Sequence, residues 1–185
     1  MKFLLTLFAL FLGGYLYAVI RFAVHRIRFL AFLKQFTKTY GYSYKLAGIA
    51  YYFPCNRSKA TILLETKNTV YNIRLFGLLR KHCEVHFWNL QEYSVEKHII
   101  KALYVGSTPT GLTNAKCRRL GSFPSLDSSN NKTVIPVLLF LPTNGVMRLT
   151  RTQVNHLVEL RAGDKIEDVL FADSDYLFRC IANRE

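Results

Sequence analysis

The densest cluster of chemically capable side chains is His82-Cys83-Glu84-Val85-His86, with two imidazoles, a thiol and a carboxylate in five residues. These are zinc-ligand types. On a strand His82, Glu84, His86 and Trp88 share one face, because alternate residues point the same way. His82 and His86 would then lie ~13 Å apart along the chain, so one ion reaches only adjacent members. Glu84 with His86 needs a third ligand, such as His98, and a solvated strand face produces the same alternation. Gly106 to Thr113 fits the G-x-x-x-x-G frame of a phosphate loop. Leu112, however, stands where the lysine is needed, and Pro109 removes a backbone donor, so a flexible loop is the expectation. Tyr40, Tyr42, Tyr44, Tyr51 and Tyr52 alternate with Lys38, Lys45, Arg57 and Lys59, the two residue types that hold single-stranded nucleic acid. Half-buried strands and membrane interfaces also favour tyrosine. G-x-S-x-G, H-E-x-x-H and G-x-G-x-x-G are absent.

The elements that must position these residues follow from periodicity. Residues 21–40 place Phe22, Phe29, Leu30, Leu33 and Phe36 near helical spacing, with Arg21, His25 and Arg28 on another face. No Gly or Pro interrupts them before Gly41. A strand is expected near 46–53. Residues 61–66 and 70–76 flank Lys67-Asn68-Thr69 as a hairpin. Residues 83–90 read as a strand and 93–103 as a helix, with Val95, Ile99, Ile100 and Leu103 at helical spacing. The Gly-, Ser-, Thr-, Pro- and Asn-rich segment 105–133 reads as a long loop. Residues 134–141 (VIPVLLFL) read as a central strand, and 146–150 as its returning partner across a turn at Asn144-Gly145. A short strand near 169–171 and a helix at about 174–182 complete the chain.

The order helix, hairpin, strand, helix, strand resembles the restriction-endonuclease-like fold of the PD-(D/E)xK nucleases. In that family the hairpin supplies an Asp, then a Glu-x-Lys, and the carboxylates hold a divalent metal that activates water. Two alignments are open. In one, Glu65-Thr66-Lys67 is the (D/E)xK element, with no acid anywhere upstream. In the other, which keeps both strands intact and is preferred, Ala60 takes the Asp position and Asn72-Ile73-Arg74 replaces Glu-x-Lys. The resemblance covers roughly residues 21–141 and implies a nuclease-like fold that has lost its metal carboxylates. An unrelated α+β hairpin would show the same residues.

Residues 3–20 contain no charge. As a helix they span about 27 Å, close to the ~30 Å hydrocarbon core of a bilayer. The run is longer than a signal-peptide core, and Leu16-Tyr17-Ala18 is a poor cleavage site. Of 185 residues carrying a net +13, the first 64 hold nine basic and no acidic side chains. Arg21, Arg26, Arg28, Lys34 and Lys38 follow the apolar run while only Lys2 precedes it, so the positive-inside rule places the C-terminal part in the cytoplasm. These five also suit anionic headgroups. Without residues 1–40 the remainder holds 19 basic and 12 acidic residues, which permits an anionic partner without demanding one. Disorder, collagen, coiled coil and a disulfide scaffold are excluded by 50% hydrophobic content, 10 glycines, the lack of heptads and only four cysteines. Cys55, Cys83, Cys117 and Cys180 form no C-x-x-C. A cytosolic domain keeps them reduced, whereas an extracellular one could pair them, with sequons at Asn56 and Asn131.

The expected architecture is α+β: a membrane anchor and basic amphipathic helix over 1–40, then a small mixed-sheet domain over 41–185. The expected function is membrane-anchored binding or interaction, with an unidentified protein partner or anionic lipid. The alternatives are a tethered nuclease using Glu65 and Lys67 with magnesium or manganese, and a nucleic-acid-binding module. Outside the nuclease reading, no cofactor or metal is expected.

Overall fold

The computed structural model describes residues 2–46, 48, 62–76, 83–89, 92–97, 117–119, 132–141, 148–153 and 156–184. Helix α1 runs unbroken over Lys2–Tyr40. Residues 3–17 are exposed on every side, and the helix is long and apolar enough to cross a membrane. From Phe22 onward one stripe is buried: Phe22, Arg26, Phe29, Leu33 and Thr37, spaced three or four apart. The helix stops at Gly41, whose φ of +68° is left-handed. The Tyr42 amide then donates to the Thr37 carbonyl (2.9 Å), closing a Schellman cap.

The strands in chain order are β1 Ser43–Leu46, β2 Ile62–Glu65, β3 Thr69–Phe76, β4 Cys83–Phe87, β5 Glu92–Lys97 and β6 Cys117–Arg119. They continue with β7 Thr133–Phe140, β8 Arg148–Gln153, β9 His156–Glu159, β10 Lys165–Ile166 and β11 Val169–Ala172, before helix α2, Ser174–Arg184. They form two mixed sheets, ordered β1-β2-β3-β7-β11-β10 and β6-β5-β4-β8-β9. In the first, β1, β2 and β3 are an antiparallel meander, and β7 lies parallel between β3 and β11. The predicted hairpin is β2–β3. Thr66 closes its turn, its amide and hydroxyl both donating to the Thr69 carbonyl at 2.9 Å.

One face of the first sheet packs on the helices. Ile62, Leu64, Tyr71, Ile73, Leu75, Val137, Leu139 and Leu170 meet Phe29 and Leu33 of α1 and Leu177, Phe178 and Ile181 of α2. The other face packs on the second sheet, where Phe76, Leu138 and Phe171 meet Val85, Phe87, Tyr93 and Leu149. β7 is therefore covered on both sides, which is why it reads as a continuous apolar run. α2 starts on Asp173, whose Oδ1 accepts the Tyr176 amide at 2.7 Å.

Two expectations are corrected. The predicted helix over 93–103 begins as strand β5, between β4 and β6. Tyr93 is buried against Phe76 and Phe87, with ring centroids 5.2 and 5.8 Å away, and this packing overrides the helical spacing. Residues 98–103 lie outside the described set. The segment after Asn144-Gly145 does not return beside β7, because β3 and β11 already occupy both of its edges. It becomes β8, parallel to β4 in the second sheet. The strand expected near 46–53 shares only Leu46 with β1, and of residues 47–53 only Gly48 lies among the described residues. Within the predicted loop 105–133, β6 is a strand; Gly106 to Thr113 lies outside the described residues, as do Ala60, His82, His98, Tyr51, Tyr52, Arg57 and Lys59.

Candidate functional site

The hairpin brings the sequence-nominated polar residues to one sheet face. Glu65 pairs with Val70 and Leu63 with Asn72 across β2–β3, while Asn72 and Arg74 lie beside Pro136 and Leu138 of β7. Paired and alternate positions share a side, so Glu65, Asn72 and Arg74 all face away from the helices. Asn72 and Arg74 are both buried, and neither is without a partner. Burial pushes the Arg74 guanidinium below its ordinary pKa. Lys67 is exposed in the turn, so Glu65 and Lys67 are not successive same-face residues of one strand.

Glu65 is engaged elsewhere. Lys132 Nζ lies 2.7 Å from its Oε1 and donates a second bond, at 2.9 Å, to the Thr66 carbonyl. That hydrogen bond, and then the lysine's charge, holds the Glu65 carboxyl below its usual range. Sequence reasoning did not find Lys132, which lies 67 residues away and pairs only because β7 docks beside β3.

His86 is not on a solvated face. It is buried, its Nδ1 lies 3.0 Å from Thr150 Oγ1, and the exposed Trp88 ring meets it edge-on at 4.6 Å. Among the described residues no three His, Cys, Asp or Glu side chains converge as metal ligands. The tyrosines divide similarly. Tyr42 and Tyr44 pack against the core while Tyr40, stacked on Tyr42 at 5.7 Å, is exposed. Cys180 carries a free thiol.

The basic flank of α1 also splits. Arg28, Lys34 and Lys38 are exposed and Arg21 is half-buried, but Arg26 is only 1% exposed. Arg26 points along the core stripe with its guanidinium 4.3 Å from the Phe22 ring centroid, a cation–π contact. It belongs to the domain interior, not to the outward basic face.

One groove of about 220 Å³ opens where the end of β7 and the first turn of α2 meet α1. It is lined by His25, Arg28, Phe29 and Phe32 of α1, Leu141, and Ser174 and Asp175 of α2. No ion pair joins Arg28 to Asp175 across it, and both side chains are exposed. His25 and Arg28 were visible as a polar helix face; Asp175 was not singled out, although Asp173-Ser174-Asp175 before an apolar run is a helix-start pattern. Comparison with known proteins yields no relative: no protein-family model matches the chain, and no curated protein or solved structure matches it significantly.

Proposed function

We propose that the chain is a membrane-anchored binding protein. α1 crosses the bilayer once through residues 3–20, and a catalytically degenerate, nuclease-like domain rests on the cytoplasmic face. The observation that carries this reading is the burial of Phe22, two residues beyond Ile20 on the same unbroken helix. At ~1.5 Å per residue, the domain begins about 3 Å along the axis from the end of the apolar run. The outward basic residues Arg21, Arg28, Lys34 and Lys38 against Lys2 alone support the orientation.

The nuclease-like part rests on topology: a helix, an antiparallel three-stranded meander, then a strand parallel to the third. Among the described residues between β3 and β7 there are the strands β4, β5 and β6 of the second sheet, where the family has its crossover helix. Asn72 and Arg74 on β3 supply an amide and a cation where the family places metal-binding and charge-steadying groups, and Glu65 is held by Lys132. Full-length protein should stay in the pellet through a carbonate wash, and release into the supernatant would overturn the anchoring. Purified in detergent, it should leave DNA and RNA intact with magnesium or manganese. Cleavage abolished by Glu65→Ala would establish the tethered nuclease instead.

A further inference from the structure

A second apolar face of α1 is exposed. Gly13, Leu16 and Ile20 are followed eleven residues later by Val24, Ile27 and Ala31. At ~100° per residue these six fall within about 80° of one another, roughly 140° round the helix from the buried stripe of Phe22, Phe29 and Leu33. All six are exposed, and nothing lies within 4 Å of where a Gly13 side chain would begin. The next members of the repeat, Gln35 and Lys38, are polar, so the face ends at Ala31.

Lipid cannot cover all of it. With the span ending at Ile20, Ile27 lies about 10 Å and Ala31 about 16 Å beyond the hydrocarbon along the same helix. The headgroup layer is only ~5–7 Å deep. An occupant that covers Gly13 and Leu16 inside the bilayer and Ile27 above it is another membrane-crossing helix that continues straight into water. A second copy of α1 meets that requirement. It enters with the same orientation and depth, so the same residues stand at the same heights and the face is complementary to itself.

Two features favour such self-pairing. An eleven-residue repeat keeps one face of a helix against its neighbour over several turns, with a right-handed supercoil. α1 also contains no acidic residue, so two copies repel unless their cations stand off the contact. Arg21 and Arg28 lie roughly 75–100° round the helix from the centre of this face. We infer that α1 pairs with α1 of a second copy, in parallel and in register, along Gly13 to Ala31. The pairing rests on the bilayer-spanning reading proposed above.

The test places the photocrosslinker benzoylphenylalanine at Ile27 in full-length protein, with two differently tagged copies reconstituted together in phosphatidylcholine vesicles. Irradiation should join one tag to the other in a product of twice the chain mass. The same group in place of Phe32, equally exposed (54% against 52%) but on another face, should give at least tenfold less. With the crosslinker at Val24, Ile27→Lys should cut the yield about tenfold by setting two cations against each other. Gly13→Leu should do the same by holding the backbones apart. Both positions are exposed, and an unchanged unfolding transition of the variants excludes misfolding as the cause. Equal yields from Ile27 and Phe32 would mark chance collision and overturn the pairing. Absence of a joined product would also overturn it, and a crosslink from Ile27 to a different protein in cell membranes would then assign the face to that partner. The same vesicles go through the carbonate wash. Protein retained but not joined refutes the pairing alone, whereas release into the supernatant refutes the spanning helix and the pairing with it.

Discussion

Deleting residues 1–40 should unfold the domain, whereas deleting 1–20 should not. Phe22, Phe29 and Leu33 lie in the apolar core, each at most 6% exposed. A fully buried side chain of this size contributes ~1.5–3 kcal/mol, so losing three removes about 5–9 kcal/mol. Whole domains are stable by only about 5–15 kcal/mol. The loss also exposes the sheet face formed by Ile62, Leu64, Tyr71 and Ile73. Residues 3–17, in contrast, are all exposed. The assay is denaturant unfolding of the two truncations followed by circular dichroism. Residues 21–185 should give one cooperative transition, and 41–185 should give none or bind a hydrophobic dye without denaturant. Within the longer fragment, Leu33→Ala should lower stability by about 2–5 kcal/mol. Ile27→Ala, at a 52% exposed position, should change it by less than ~0.5 kcal/mol. A cooperative, native-like 41–185 fragment would refute the claim that α1 is part of the core.

Two further outcomes follow from polar contacts. The Glu65 carboxyl has its pKa lowered by Lys132, so its contribution to stability is complete above the ordinary value of 4.5 and fades as pH falls through the lower folded value. Wild-type and Glu65→Gln melting temperatures should therefore differ at neutral pH and converge in acid; a constant gap would show that the carboxylate charge plays no part. Thr150→Val removes the hydroxyl beside buried His86 and should cost about 1–3 kcal/mol, read from denaturant midpoints at pH 7. A loss below ~0.5 kcal/mol would mean that the 3.0 Å contact is energetically idle.

Local pattern reveals an element when one neighbour decides it. The hairpin 62–76 was legible because Thr66 and Thr69 close their own turn, and β7 because burial on both faces makes its residues uniformly apolar. Residues 93–97 failed for the opposite reason: Tyr93 is placed by Phe76 and Phe87, contacts no helical periodicity encodes. The destination of β8 depends on which edges of β7 were already taken, a property of the whole sheet. The same division holds for the candidate site. His25 and Arg28 share a helix face that a helical wheel exposes, but Asp175 and Leu141 reach the groove only through the docking of α2 and β7. Lys132 likewise meets Glu65 through the parallel pairing of β7 with β3.

Arg26 shows how much one helix carries. Counted along the sequence, it is one of five cations that flank the apolar run and orient it. In the fold it is buried over Phe22, on the stripe that continues through Phe29 and Leu33. The residues left on the outward faces, Arg21, Arg28, Lys34 and Lys38, still outnumber Lys2 on the other side, so the inferred orientation survives its removal. Its placement also leaves no linker: packing begins within one turn of the apolar run, along a helix with no Gly or Pro from Arg21 to Tyr40. Such a domain cannot swing freely about its apolar helix segment, as one on a Gly/Ser tether would. With α1 spanning the bilayer as proposed, the domain is held at a fixed height above the membrane.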